Sequence, residues 1–136
     1  MNAAAPLLVI VDAANVVGSV PDGWWRDRRG AAERLRDRLA ADGLPGHEGP
    51  VELVLVVEGA ARGVESVPRV RVESASGSGD DRMVELVAGA AGREVLVITA
   101  DRELRRRVTE LGADVAGPRT VRGWKASGGG LEGGAQ

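Results

Sequence analysis

Four runs dense in Val, Leu and Ile fall at residues 7–11, 51–57, 69–73 and 95–99, and only the third alternates strictly between apolar and polar side chains. A strand that is apolar along its whole length must be covered on both faces, the condition of central strands in a parallel sheet flanked by helices. Helical spacing fills the intervals. Residues 26–41 carry Leu35 and Leu39 four apart, residues 81–91 carry Met83, Leu86, Val87 and Ala90, and residues 102–111 carry Leu104, Val108 and Leu111. Each set marks the apolar stripe of an amphipathic helix. A short fifth strand is predicted at 114–116. The order β-α-β-β-α-β-α-β predicts a Rossmann-like α/β domain with an open sheet and helices in crossover connections. Its least regular join is "EGAARGVESVP", which is short for a crossover helix.

A chain of 136 residues suits one domain, expected over 6–125. The N-terminal residues 1–5 are expected to be flexible. The tail 126–136, "ASGGGLEGGAQ", is too rich in Gly and too poor in apolar groups to pack, and is expected to be disordered. Phe, Tyr and Cys are absent, and the aromatic residues are Trp24, Trp25 and Trp124. Aliphatic side chains must therefore build the core. Lack of Cys excludes disulfides and thiolate metal sites, and the single His47 leaves no Ser-His-Asp triad or His-based zinc site. Acid-base or metal chemistry must rest on carboxylates.

The opening "MNAAAP" has no basic region, and no apolar stretch reaches the length a bilayer needs. A soluble cytoplasmic protein is expected. The net charge of −2 argues against an overall electrostatic footprint for nucleic acid, although 17 of the 18 basic residues are Arg, with Lys125 the exception. Local basic patches remain open. No G-x-x-x-x-G-K-[ST] string occurs, which excludes a P-loop.

In open α/β sheets, ligands bind beyond the carboxyl ends of the strands. Asp12 ends the first run, Asp101 follows the fourth, and Asp80 and Asp81 open the helix that leads into the fourth. These carboxylates converge if the first and fourth strands are neighbours. Gathered together they repel, and each raises the pKa of the others unless a multivalent cation neutralises them. An all-oxygen donor set favours Mg²⁺ or Mn²⁺. Asp80, Asp81 and Asp101 also suit helix N-caps. Asp12 does not, since no helix start is evident behind it.

The residues "VDAANV" (11–16), "GDDR" (79–82) and "TADRELRRRV" (99–108) resemble, in this order and spacing, the NYN branch of the PIN-like nucleases. That resemblance spans about residues 7–116. It implies a three-layer PIN-type domain with parallel sheet order 3-2-1-4-5 and metal-dependent hydrolysis of single-stranded or structured RNA. It further implies that Asp12, Asp80, Asp81 and Asp101 are catalytic and metal-holding, and that Asn15 orients a ligand or water. Ala13 stands where the family pattern has Gly. Glu58, after the second strand, is a weaker candidate for the cluster and reads more simply as a loop residue. A catalytically silent PIN-like module that binds RNA or protein is the alternative, and a homodimer is left open.

Arg26, Arg82 and Arg102 fall near the expected cleft and are candidates for holding RNA phosphates. Most other Arg residues alternate with Asp and Glu, as on solvated helix faces. For Trp24 and Trp25 the expectation is that one ring packs into the core and the other stacks a base.

Overall fold

The computed structural model describes residues 5–20 and 23–121. Five strands, β1 (Leu7–Asp12), β2 (Val51–Val57), β3 (Val70–Ser74), β4 (Val95–Ile98) and β5 (Asp114–Ala116), form one sheet. The sheet order is β3-β2-β1-β4-β5, and every pairing is parallel. The expected 3-2-1-4-5 order is therefore what the chain adopts. Four α-helices surround it: α1 (Ala13–Gly18), α2 (Arg28–Asp42), α3 (Gly79–Ala88) and α4 (Arg102–Glu110).

Strand side chains alternate between two cores. Val9, Val11, Leu53, Leu55 and Val57 face Ala13, Val16, Ala32 and Leu39 of α1 and α2. Leu8, Ile10, Val54, Val56, Val95 and Val97 face Met83, Val87, Leu104 and Val108 of α3 and α4. Apolar groups on both faces explain why the three central runs do not alternate in sequence. This is the three-layer arrangement that the apolar runs require.

Two features depart from the expected element pattern. The segment after β1 is a short helix, α1, and the second helix starts at Arg28 rather than near residue 26. The β2–β3 join carries only a 3₁₀ turn at Gly59–Ala61. It is held against the edge strand by side-chain acceptors: Gly63 N–H donates to Ser74 Oγ at 2.9 Å and Val72 N–H to Ser66 Oγ at 2.8 Å. Those bonds occupy backbone donors without a helix, which is how so short a link suffices. No described helix is long and apolar enough to cross a membrane. Trp124 and the Gly-rich tail lie outside the described residues.

Candidate functional site

Parity along the strands decides which groups meet. Asp12 continues the side of Leu8 and Ile10, Glu58 that of Val54 and Val56, and Thr99 that of Val95 and Val97. All three sit at the carboxyl ends of neighbouring strands, on the side covered by α3 and α4. Asp12 pairs in register with Val56, and Val11 with Ile98. Asp12 thus lies between the ends of β2 and β4.

Asp12 is only 7% exposed and Thr99 is fully buried. Thr99 Oγ1–H donates to Asp12 Oδ2 at 2.8 Å, and Thr99 Oγ1 accepts from Asp101 N–H at 3.1 Å. Asp12 Oδ1 accepts from Asn15 N–H at 3.2 Å and caps α1. The expectation that Asp12 has no helix behind it is corrected here: Ala13 and Ala14 are good helix formers, and an aspartate before them is a preferred N-cap. Burial raises the Asp12 pKa from 3.8 to about 6, against the Thr99 and Asn15 hydrogen bonds, with the charges of Asp80 and Glu58 pushing the same way as burial.

Asp101 caps α4, its Oδ1 accepting from Leu104 N–H at 2.9 Å. The cap of α3 is Ser78, whose side chain accepts from Asp81 N–H. Asp80 and Asp81 occupy the first turn of that helix, where the dipole favours negative charge. Partial burial raises the Asp80 pKa, and Asp101, Glu58 and Asp81 raise it further while Arg107 opposes them. Asp80 therefore shares the field of Asp12, Asp101 and Glu58. Asp81 is exposed and forms an ion pair with Arg107 at 3.1 Å.

Glu58 is more than a loop residue. Its Oε1 accepts from Gly79 N–H at 2.5 Å, and a Cβ on Gly79 would stand 2.9 Å from that oxygen. Glycine at 79 lets the end of β2 meet the start of α3. Alternation from Val54 and Val56 is the signal that places Glu58 at the site, and the same parity from Val95 and Val97 places Thr99.

Asn15 uses its side-chain carbonyl internally, Oδ1 accepting from Ala100 N–H at 2.8 Å. It ties the turn after β1 to the turn after β4. Arg82 is held by Glu73 at 2.8 Å and Glu85 at 3.0 Å, while Arg102 is exposed and has no partner among the described residues. The Arg26 guanidinium lies 5.4 Å from the Trp25 ring centre, and that of Arg28 lies 5.1 Å from the Trp24 ring centre. Neither Trp packs into a core, contrary to expectation. Trp24 is half-buried and Trp25 is 53% exposed, their rings meeting edge to face at 6.1 Å. They occupy a one-turn 3₁₀ helix with no buried residue, and aliphatic side chains fill the core in their place.

A divalent cation can be weighed against this geometry. The donors are carboxylate oxygens, the chemistry of Mg²⁺ and Mn²⁺ sites, and burial together with neighbouring carboxylates raises the pKa values of Asp12 and Asp80, a cost that a cation would relieve. In donor type and in charge the residues fit such an ion. Among the described residues, however, no three Asp, Glu or His side chains are already drawn together as a ligand set.

No protein-family model matches the sequence, and no curated protein sequence matches it. Among solved structures the chain is similar to Rae1 (YacP) from Bacillus subtilis, determined as a tryptophan-to-leucine variant. The TM-score is 0.66 at 19% identity, covering 85% of this chain and 72% of that one. At that identity the likeness concerns the fold, the three-layer α/β domain with parallel sheet order 3-2-1-4-5.

Proposed function

We propose that this chain is a ribonuclease that hydrolyses phosphodiester bonds in RNA with the help of Mg²⁺ or Mn²⁺. One observation carries the proposal: Asp12 ends β1, Glu58 follows β2, Asp101 caps the helix after β4 and Asp80 lies in the first turn of α3, so that four carboxylates gather at one edge of the sheet. That edge is where sheets of this type bind ligands. The PIN/NYN-like fold supports it.

Asp12, Asp80 and Asp101 would hold the cation, with Glu58 and Asp81 at the margin. A divalent ion bound there would lower the pKa of an attacking water and stabilise the departing 3′-oxygen. The chain supplies the positioning. Thr99 fixes one oxygen of Asp12 and the backbone of Asp101, and Asn15 fixes the other oxygen of Asp12 and the backbone of Ala100. Arg26 and Arg102, both exposed, would steer phosphates toward the cleft, and Trp24 and Trp25 would meet bases. Arg82 is a weaker phosphate contact because Glu73 and Glu85 already engage it.

The test is cleavage of single-stranded RNA with Mn²⁺, with chelator, and with Asp101→Asn. Asparagine caps helices as well as aspartate does, so the variant is expected to fold and to be inert. Undiminished cleavage by that variant would overturn the assignment. A second reading, a catalytically silent module that binds RNA or protein, is favoured by the absence of a preformed three-ligand group among the described residues. RNA binding without cleavage in either metal would establish it.

A further inference from the structure

Beside the acidic cluster, at the end of β2, lies a cavity of about 320 Å³ bounded by residues of α1 and α2, the turn after β2 and Gly77 of the loop before α3. Trp24, Ala13, Ala14 and Ala32 line it, with Glu58 and Arg28 among the other lining residues. Its volume is near the small end of ligand pockets, roughly 300–1,000 Å³, which suits a nucleoside-sized group. Three features narrow the occupant. Small side chains and an indole share this slot, and stacking is how an indole holds a flat ring. Ala13 directly follows Asp12, so the slot adjoins the acidic cluster. Glu58 is the one acidic group among its lining residues, and one of its oxygens is occupied by Gly79 N–H. The second carboxylate oxygen accepts no hydrogen bond within the described residues.

From this we infer that the cavity is a nucleobase subsite, with Trp24 stacking on the base and Glu58 selecting one that carries an exocyclic amino group: cytosine, adenine or guanine. The inference rests on RNA as the substrate class and deepens it by naming a base preference. A carboxylate accepts from the cytosine N4 amine and repels the O4 carbonyl that uracil presents at the same place. Cytosine and uracil have nearly the same shape, so the pair isolates this contact. Arg28, which lines the same cavity with its guanidinium 5.1 Å from the Trp24 ring centre, is placed to meet a neighbouring phosphate.

The experiment titrates the full chain, in chelator, with the nucleosides cytidine and uridine, following the Trp24 indole N–H by NMR. Nucleosides carry no phosphate, so neither metal nor cleavage enters. Cytidine is expected to shift the Trp24 signal and to bind about ten-fold more tightly than uridine, the scale of one hydrogen-bonded contact. Glu58→Gln keeps an oxygen for Gly79 N–H and offers an amine in place of the free oxygen, so the preference should reverse toward uridine. Ala14→Leu fills the slot from an exposed position and should abolish the shift with both. No Trp24 shift with cytidine, equal binding of the two nucleosides, or a preference unchanged by Glu58→Gln would each overturn the subsite. Nucleoside selection in a chain that never cleaves RNA would keep the subsite and defeat the ribonuclease reading instead.

Discussion

Changing Asp12 to asparagine should make the metal-free protein more stable at neutral pH. Asp12 is 7% exposed, and the charged groups acting on it, Asp80 and Glu58, are both negative. Its pKa of about 6 in the fold against 3.8 ordinarily corresponds to roughly 3 kcal/mol of destabilisation once it is ionised. Asparagine removes that cost, but its amide must turn an NH₂ toward either the Thr99 hydroxyl or the Asn15 N–H, which costs about 1 kcal/mol. The net gain is about 2 kcal/mol, or roughly 5–10 °C in Tm for a domain of this size. The sign with pH follows from the folded state holding the proton more tightly than the unfolded one. The penalty is absent below 3.8, grows as pH rises toward 6, and is complete above it. Thermal melts in EDTA at pH 4 and pH 7.5 check it: the variant should melt above wild type at 7.5 and level with or below it at 4. With Mn²⁺, wild type should gain more than the variant, because a ligand of the folded state stabilises by mass action. A variant that melts clearly lower than wild type at pH 7.5 would refute the reasoning, since it would mean that the charge on Asp12 is compensated.

Thr99→Val keeps the shape but removes the donor to Asp12 and the acceptor for Asp101 N–H; it should cost about 1–3 kcal/mol at pH 7.5. Because the Thr99 bond lowers the Asp12 pKa, the cost should shrink at pH 4, as melts at both values would show. Asp101→Ala should lose about 1 kcal/mol through the cap of α4, while Asp101→Asn stays within a few tenths of wild type; urea denaturation separates them. Trp25→Ala, at a half-exposed site, should change stability by less than about 0.5 kcal/mol while weakening single-stranded RNA binding by ~1–3 kcal/mol, read by filter binding and melting.

The sheet was legible because continuous apolar runs have one economical solution, burial on both faces. β2 and β5 fall where the residue pattern puts them, and the other strands and the longer helices differ by one to three residues at their ends. Such ends depend on caps, and the cap residue of α3 is Ser78 rather than either aspartate. Helix α1 escaped notice because six residues are too few for apolar periodicity to register. Its start was nonetheless encoded in Asp12 followed by two alanines. Thr99 and Glu58 were harder to see as members of the site, since a threonine after a strand and a glutamate before a turn look ordinary until strand parity is extended past the last ladder bond. A core place for one of the two Trp residues was expected because large aromatics are usually well buried; here Trp24 lines a cavity together with Ala13, Ala14 and Ala32, and Trp25 is exposed.

The choice between capping and catalysis, open for each aspartate taken singly, loses its force in the folded chain. Asp12 caps α1, Asp101 caps α4, Glu58 accepts the first N–H of α3, and Asp80 lies in the first turn of α3. Each group that shares the negative field therefore touches the start of a helix, where unpaired N–H donors stabilise an anion. Those donors hold the carboxylates in place, while Arg107, which pairs with Asp81, offsets only part of the charge on Asp80. For Asp12 and Asp80 the stabilisation is incomplete, as their raised pKa values show. An arginine paired directly with Asp12 and Asp80 would have lowered both values. Helix starts do the opposite: they fix the oxygens in position and leave the charge available, so the caps are the means by which a functional cluster of like charges is held together at one edge of the sheet.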